Sequence, residues 1–223
     1  MIVGVVGFIG SGKGTVGEIL VELGFHQLSF ASAVKDVASS MFGWPRYLLE
    51  GDTEESRSFR EKPDTFWSDS LEREFTPRLA LQLLGTEVGR NVFHENFWII
   101  KMRHNVISMR KSGIENFVVT DVRFPNEIAY IQQEGGILIE VQRGVQPHWF
   151  DIAIKANKGD MKAEKFLRDN NIHESEWKWI GSQRDHCIVN NGTIDNLKEK
   201  VIKCLTPYYG YNIMKEMKEG VLT

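Results

Sequence analysis

Cysteine is nearly absent from this chain of 223 residues: only Cys187 and Cys204 occur. Two thiols that far from a knuckle spacing exclude a disulfide framework and a cysteine-built metal site, and they suit a reducing compartment. Long apolar runs are lacking too. The stretch Ile2 to Val6 is cut off by Gly7 and has no basic segment before it, so neither a signal peptide nor a membrane span is expected. Nor does one sign of charge prevail, with 27 Lys and Arg against 30 Asp and Glu, a net charge of −3 and an isoelectric point near 6.1. That balance leaves no electrostatic footprint for a nucleic-acid polymer, although a local basic cleft for a small anion remains open. Repeats and low-complexity segments are also missing. A hydrophobic fraction of 42% in a chain of this length supplies one good core, so a single domain with an insert, in the cytoplasm, is the expectation.

Against these absences stands a concentration of glycine. Gly7-Phe8-Ile9-Gly10-Ser11-Gly12-Lys13-Gly14-Thr15 follows the apolar run directly and precedes Val16, Ile19, Leu20 and Leu23 at helical spacing. Glycines at 7, 10, 12 and 14 allow positive φ and let successive N–H groups converge on an anion. Lys13 adds a cation, and the helix beginning there adds its positive dipole end. The strand, loop, lysine and helix order predicts a nucleotide phosphate-binding loop in which Gly10, Ser11, Gly12, Lys13, Gly14 and Thr15 hold ATP phosphates. The hydroxyl that strict versions of the loop place directly after the lysine comes one residue later, at Thr15, a variant that resembles small-molecule kinases such as adenylate kinase.

The rest of the chain alternates in kind. Strands are expected at Ile2 to Val6, His26 to Phe30, Phe117 to Thr120, Ile137 to Val141 and His186 to Val189. Helices are expected over Thr15 to Leu23, from about Val34 to Phe42, from Pro77 to about Asn91, over Phe97 to Lys111, from Pro125 to Gly135, and over Ile194 to Leu205. The segment 46 to 75 is charged and irregular and reads as a loop with short helical turns. From Arg143 to Ile180 the pattern turns polar, which suggests a mobile helical lid. Apolar strands alternating with helices predict a parallel sheet covered on both faces, with ligands beyond the strands' carboxyl ends. The phosphate loop, Lys35, Asp121, Arg143 and Asn190-Asn191 are all expected there.

Asp121-Val122-Arg123-Phe124-Pro125-Asn126-Glu127 places a carboxylate, a guanidinium and a second carboxylate at a strand end, a set suited to a second, phosphorylated substrate. A structural ion pair at a helix start is the plainer alternative. Arg78, Gln82, Thr86 and Arg90 recur every four residues on one helical stripe. Gly85 and Gly89 cost roughly 1 kcal/mol each in a helix interior, which suggests that something, such as a base and its phosphate, approaches closely.

Taken together, the Gly-Ser-Gly-Lys loop, Ala33-Val34-Lys35-Asp36, Glu50-Gly51 with Arg60-Glu61, Arg78 with Gln82 through Glu87, Trp98, Asp121 through Glu127, His173 through Glu176 and Asn190 through Thr193 resemble the deoxynucleoside monophosphate kinases of tailed bacteriophages. The likeness extends over nearly the whole chain. It implies a P-loop NTPase fold, three layers α/β/α with a parallel sheet and an inserted helical lid, in which one domain (1–223) carries 144–180 as lid and 46–113 as the helical region for the acceptor. It also implies transfer of the ATP γ-phosphoryl group to a 2′-deoxynucleoside 5′-monophosphate with Mg²⁺, in the host cytoplasm if the gene is a phage's. By that analogy Val34, Lys35, Arg60, Arg78, Gly85, Thr86, Trp98, Asp121, Arg123 and Glu127 line the acceptor pocket.

Phosphoryl transfer asks mainly for cations, so Lys13, Arg123 and Arg143 are the expected catalytic set, with Arg143 closing over the transferring group. No side chain is expected to ligate the metal directly, though Asp121 could do so through water. Trp98 is a candidate wall against a 2′-hydroxyl, ordinary helix packing being the alternative, and Asn191 with Asn190 would contact adenine unless they simply form a turn. His173 is not needed as a base, because the acceptor phosphate is already ionised. Small-molecule substrates are the expected partners, with neither nucleic acid nor membrane, and the protein a monomer or homodimer. Two rival readings are kinases for another acceptor, dephospho-coenzyme A or a ribonucleotide, and a GTP-binding switch suggested by Asn157-Lys158-Gly159-Asp160. The switch is disfavoured by Gly14 and by the lack of an Asp-x-x-Gly motif before residue 157.

Overall fold

The computed structural model describes residues 1–210. In chain order the elements are β1 (Ile2–Val6), α1 (Lys13–Glu22), β2 (His26–Leu28), α2 (Ser32–Phe42), a 3₁₀ turn (Arg46–Leu49), α3 (Glu54–Glu61), α4 (Thr65–Ser70), α5 (Pro77–Gln82), a π-helix (Leu83–Phe93) and α6 (Phe97–Lys111). They continue with β3 (Phe117–Val119), α7 (Pro125–Gln133), β4 (Ile137–Gln142), α8 (Phe150–Asn157), α9 (Met161–Asp169), α10 (Glu174–Trp177), β5 (His186–Val189) and α11 (Ile194–Tyr209). Two compact units result: Met1–Leu28 with Ser108–Thr223, and Ser29–Ile107.

The first unit holds a five-stranded sheet in the order β2-β3-β1-β4-β5, parallel at every pairing. Because side chains alternate along a strand, Val3 and Val5 of β1 and Ile137, Ile139 and Val141 of β4 share one face. There they pack with Val16, Ile19 and Leu20 of α1 and Leu197, Val201 and Leu205 of α11. Gly4 and Leu138 turn the other way and meet Ile131 of α7, so helices cover both faces, as a parallel sheet requires. β1 is central, and the order reverses around it, which makes its carboxyl end the switch point where ligands bind in such sheets.

Strand and helix bounds differ from the sequence expectation where pairing runs out. β2 stops at Leu28, its register against β3 ending at Leu28↔Val119. At the other terminus α11 runs past Leu205 to Tyr209 with Pro207 inside it, tolerated because only one backbone bond in the final turns is lost. Between β4 and β5 the 144–180 segment buries Ala153, Leu167, Trp177 and Ile180. Asn157 Nδ2 donates to the carbonyls of Trp177 (3.0 Å) and Ile180 (2.7 Å), and the Asp160 carboxylate caps α9. Two of the four residues that mimic a guanine-reading motif, Asn157 and Asp160, are thus structural fasteners.

The second unit is all-helical. Ala38, Trp44, Leu49, Phe75 and Ala80 form its core, with Phe42 stacked on Trp44 at a centroid separation of 4.6 Å. Where the sequence suggested a loop with short helical turns over 46–75, the structure has a 3₁₀ turn and two capped helices, more regular than expected. Their polarity hid them, since α3 buries only Ser56 and helix formation rests on the caps. Thr53 Oγ1 accepts from the backbone N–H of Ser56 and Asp64 Oδ1 from that of Trp67. A second departure is the helix expected over 77–91: it is α only to Gln82 and then π to Phe93.

Asp64 also takes the indole N–H of the buried Trp44 on Oδ2, at 2.8 Å. Asp64→Ala removes a cap and strands that N–H, so it should cost this unit about 1–3 kcal/mol. Urea denaturation followed by tryptophan fluorescence measures this; an unshifted midpoint would contradict it.

Candidate functional site

Each unit contributes its own set of polar residues. In the first, the phosphate loop leaves β1 at Gly7 and enters α1 through Gly12, whose φ of 102° defines a left-handed N-cap with no side-chain cap. The first-turn N–H groups are therefore left for an external acceptor. A Cβ on Gly7 would collide with the Val141 carbonyl, and one on Gly12 with Asn190 Nδ2. Glycine is needed at both positions because the loop is wedged against the ends of β4 and β5. Asn190 completes the wedge: its Nδ2 donates to the Ser11 carbonyl at 2.9 Å, while its own N–H donates to Gln142.

Lys13 Nζ folds back on the loop, donating to the Gly7 and Phe8 carbonyls at 2.8 Å each. Ser11 Oγ is buried without a partner. Both are features of a cradle suited to an anion with several oxygens. Phe8, at the mouth of the loop, meets Trp179, Trp149 and Phe150 edge-on at centroid distances of 5.1, 5.7 and 6.1 Å. The 144–180 segment thus packs directly on the phosphate loop through aromatic rings.

Arg123 lies beyond β3. Its backbone is fixed by the buried Glu127, whose Oε2 accepts from the N–H groups of Arg123 (2.7 Å) and Phe124 (3.0 Å). An acidic group over the first turn of α7 is favoured there by the helix dipole as well. The Arg123 Nη1 reaches Glu176 Oε1 at 3.0 Å and Ser175 Oγ at 3.2 Å. His173 caps α10, its Nδ1 accepting from the Ser175 N–H. Burial pushes the Lys13 ammonium down from 10.5 to about 8; the Arg123 guanidinium pushes the same way, and Glu176 opposes both. Asp121 follows β3, Arg143 is exposed just beyond β4, and Asn191 Oδ1 accepts from the Gly144 N–H at 3.4 Å.

In the second unit, Glu50 organises the cations. Its Oε2 pairs with Lys35 Nζ at 2.6 Å, its Oε1 with Arg46, and its backbone carbonyl accepts from Arg60 at 3.3 Å. Arg46 also holds Asp36 at 2.6 Å. Arg78 pairs with Glu61. Gly85, one residue before Thr86, faces Val34 with room to spare: a Cβ added there would lie 3.9 Å from the valine, an ordinary contact. The close approach inferred at Gly89 is real, but the approaching group is Trp98: a Cβ there would lie 2.5 Å from its indole nitrogen. Trp98 is 7% exposed and donates its N–H to the Gly85 carbonyl at 2.7 Å. Widened i→i+5 geometry of this kind recurs at functional sites.

The residues expected at the site therefore fall into two groups. The first unit gathers Gly10 to Thr15, Asp121, Arg123, Glu127, Arg143 and Asn191, and the second Val34, Lys35, Arg60, Arg78, Gly85, Thr86 and Trp98. Sequence reasoning named Glu50, Ser175 and Glu176 only as part of the resemblance, with no role for any of them, and did not foresee the packing of Phe8 or the bracing role of Asn190. Glu176 stands in a polar run where each carboxylate looks alike, and Asn190 is distinguishable from Asn191 only through the strand register. Among the described residues no cluster of three or more His, Cys, Asp or Glu could hold a metal ion, and no helix is long and apolar enough to cross a membrane.

A lowered Lys13 pKa has a testable sign. Between pH 8 and 10 the protein alone loses this charge, whereas a bound polyphosphate restores it. ATP affinity should then fall by up to about tenfold per pH unit above 8, with proton uptake on binding seen by calorimetry in buffers of different ionisation enthalpy. Lys13→Arg should flatten the profile; a wild-type affinity constant from pH 7 to 10 would contradict the assignment.

Comparison with known proteins bears on the family. A model of the deoxynucleotide monophosphate kinase family matches residues 51–201. A protein of Acanthamoeba polyphaga mimivirus, provisionally named deoxynucleotide monophosphate kinase, is 28% identical over 221 residues, covering 92% of this chain and 96% of its own. The deoxynucleoside-5′-monophosphate kinase of Escherichia phage T5 is 48% identical over a shorter stretch of 52 residues, 23% of this chain and 20% of that protein. Among solved structures, TT1252 from Thermus thermophilus aligns with a TM-score of 0.47 at 16% identity, over 93% of this chain and 97% of that one. The dephospho-CoA kinase from Campylobacter jejuni aligns with a TM-score of 0.41 at 18% identity, over 92% and 96%. With the family model matching well over half of its length, the chain belongs to the deoxynucleotide monophosphate kinase family.

Proposed function

We propose that this nucleotide kinase moves the γ-phosphoryl group of ATP to a 2′-deoxynucleoside 5′-monophosphate, releasing ADP and the diphosphate. The observation that carries the proposal is the glycine loop before α1, with Lys13 on its Gly7 and Phe8 carbonyls and Ser11 Oγ buried without a partner, together with Arg123 braced by Glu127 in the same unit. Two cations held together against their own repulsion suit a loose, highly anionic transition state, for which the protein supplies positioning and charge.

The first-turn N–H groups from Gly12 to Thr15, the Ser11 hydroxyl and Lys13 hold the donor phosphates. Arg123 binds phosphate oxygens of the acceptor and of the transferring group through its fork of donors. Mg²⁺, when it enters with the nucleotide, would be held through water by the Asp121 carboxylate, and it would neutralise phosphate charge. Exposed Arg143, next to the 144–180 segment, closes toward the phosphates, and closure keeps water from taking the phosphoryl group. Glu127 acts through Arg123, whose backbone it fixes.

The second unit supplies the acceptor side, with Lys35, Arg60 and Arg78 as cations and Val34, Gly85 and Thr86 as the wall for base and sugar. Trp98 keeps the π-helix in shape, so its part in rejecting a 2′-hydroxyl runs through the position of Gly85 and Thr86 more than through an exposed ring. Asn191 and Arg143 remain with the donor.

Incubation with γ-labelled ATP and a panel of deoxy- and ribonucleoside monophosphates and dephospho-coenzyme A tests the reading. Labelled deoxynucleoside diphosphate is the predicted product, and transfer confined to dephospho-coenzyme A or to water would contradict it. Lys13→Met should lower turnover by about 10²–10³ while the circular dichroism spectrum stays unchanged; near-normal turnover would remove Lys13 from the mechanism.

A further inference from the structure

Glu176 has no part in the scheme above, yet it is the carboxylate that stands against both of the first unit's central cations. It bonds Arg123 at 3.0 Å, and its field also reaches Lys13. All three described bonds of the Arg123 guanidinium, to Glu176 Oε1, Ser175 Oγ and the Ser175 carbonyl, run through Nη1, a one-sided engagement of a group whose fork can offer five N–H donors. The pair is partly solvated, with side-chain exposures of 41% and 28%. Such a pair is weak enough to be exchanged.

Glu176 is nonetheless held firmly. His173 caps the short helix that carries it. Trp179 Nε1 donates to the Glu176 carbonyl at 3.0 Å, and the same indole packs on Phe8 of the phosphate loop at 5.1 Å. The carboxylate that engages Arg123 is thereby tied, through one residue and one ring contact, to the loop that cradles phosphate.

We propose that Glu176 is a positioning residue that competes with phosphate oxygens for the Arg123 guanidinium, so that Arg123 passes from an internal carboxylate to the substrate phosphates and back in each turnover. The proposal rests on the kinase reading above and deepens it. A phosphate group with more charge and a bidentate face displaces the carboxylate from Arg123. After transfer the carboxylate competes for the same guanidinium and speeds the departure of the product. Without it, Arg123 would hold phosphate too well for rapid release.

Glu176→Gln keeps the side chain's size and removes its charge. It should lower the KM for the deoxynucleoside monophosphate about three- to fivefold, the range expected from loss of one partly exposed ionic competitor. A merely structural contact would, when weakened, raise KM. Glu176→Asp should return KM toward the wild-type value, and in an Arg123→Gln background Glu176→Gln should leave KM where Arg123→Gln put it. An unchanged or raised KM in Glu176→Gln, or the same decrease with Arg123 already removed, would overturn the proposal. The two levels separate cleanly: a wild-type protein that makes no deoxynucleoside diphosphate defeats the functional reading, whereas an active wild type with an unaffected Glu176→Gln variant defeats only this one.

Discussion

Everything in the first unit turns on a cation placed where cations are disfavoured. The Lys13 ammonium is largely removed from water and has Arg123 within electrostatic reach; burial first and the arginine second lower its pKa from 10.5 to about 8, against the opposing pull of Glu176. Two carbonyls of its own loop stabilise it in place. A polyphosphate relieves these penalties together, because it brings negative charge to Lys13 and to the positive end of α1 and offers Arg123 a more highly charged partner than Glu176. The geometry that makes this work is backbone geometry. Gly7 and Gly12 let the loop press against β4 and Asn190, and the reversal of strand order at β1 leaves its carboxyl end open to a ligand.

Carboxylates manage the remaining cations. Glu127 fixes the backbone of Arg123, Glu176 meets its guanidinium, Glu50 gathers Lys35 and Arg46, and Glu61 meets Arg78. Most of these pairs are partly exposed and contribute little to stability. Their value is orientation: a guanidinium held by a solvated carboxylate is already pointed and readily exchanged. Within each unit the cations are thereby kept in place and still available to phosphate.

The sheet and the phosphate loop were legible in the sequence for physical reasons. Parallel strands buried on both faces must read as apolar runs, as Ile2 to Val6 and Ile137 to Val141 do, and a loop with several left-handed residues must carry glycine. The helices over 54–70 were not legible, since they are stabilised by Thr53 and Asp64 caps and carry little apolar surface. The π-helix was hidden because its residues fit a 3.6 period almost as well as a wider one. At Gly89 the inference of close approach held while the partner did not, because sequence shows the gap and not what fills it. Asn157 and Asp160 illustrate the reverse, a motif whose residues suit nucleotide recognition and which the fold uses to tie helices together. Glu176 could be recognised only once α10 was seen beside Arg123.

The central claim is that Lys13 gives up its loop carbonyls for the phosphates of a nucleotide. A crystal structure of the protein with a non-hydrolysable ATP analogue, Mg²⁺ and a deoxynucleoside monophosphate tests it most directly. The account predicts Lys13 Nζ turned from the Gly7 and Phe8 carbonyls onto phosphate oxygens, with the N–H groups of residues 12 to 15 around the same phosphates. A nucleotide bound elsewhere, with Lys13 still on those two carbonyls, would contradict it.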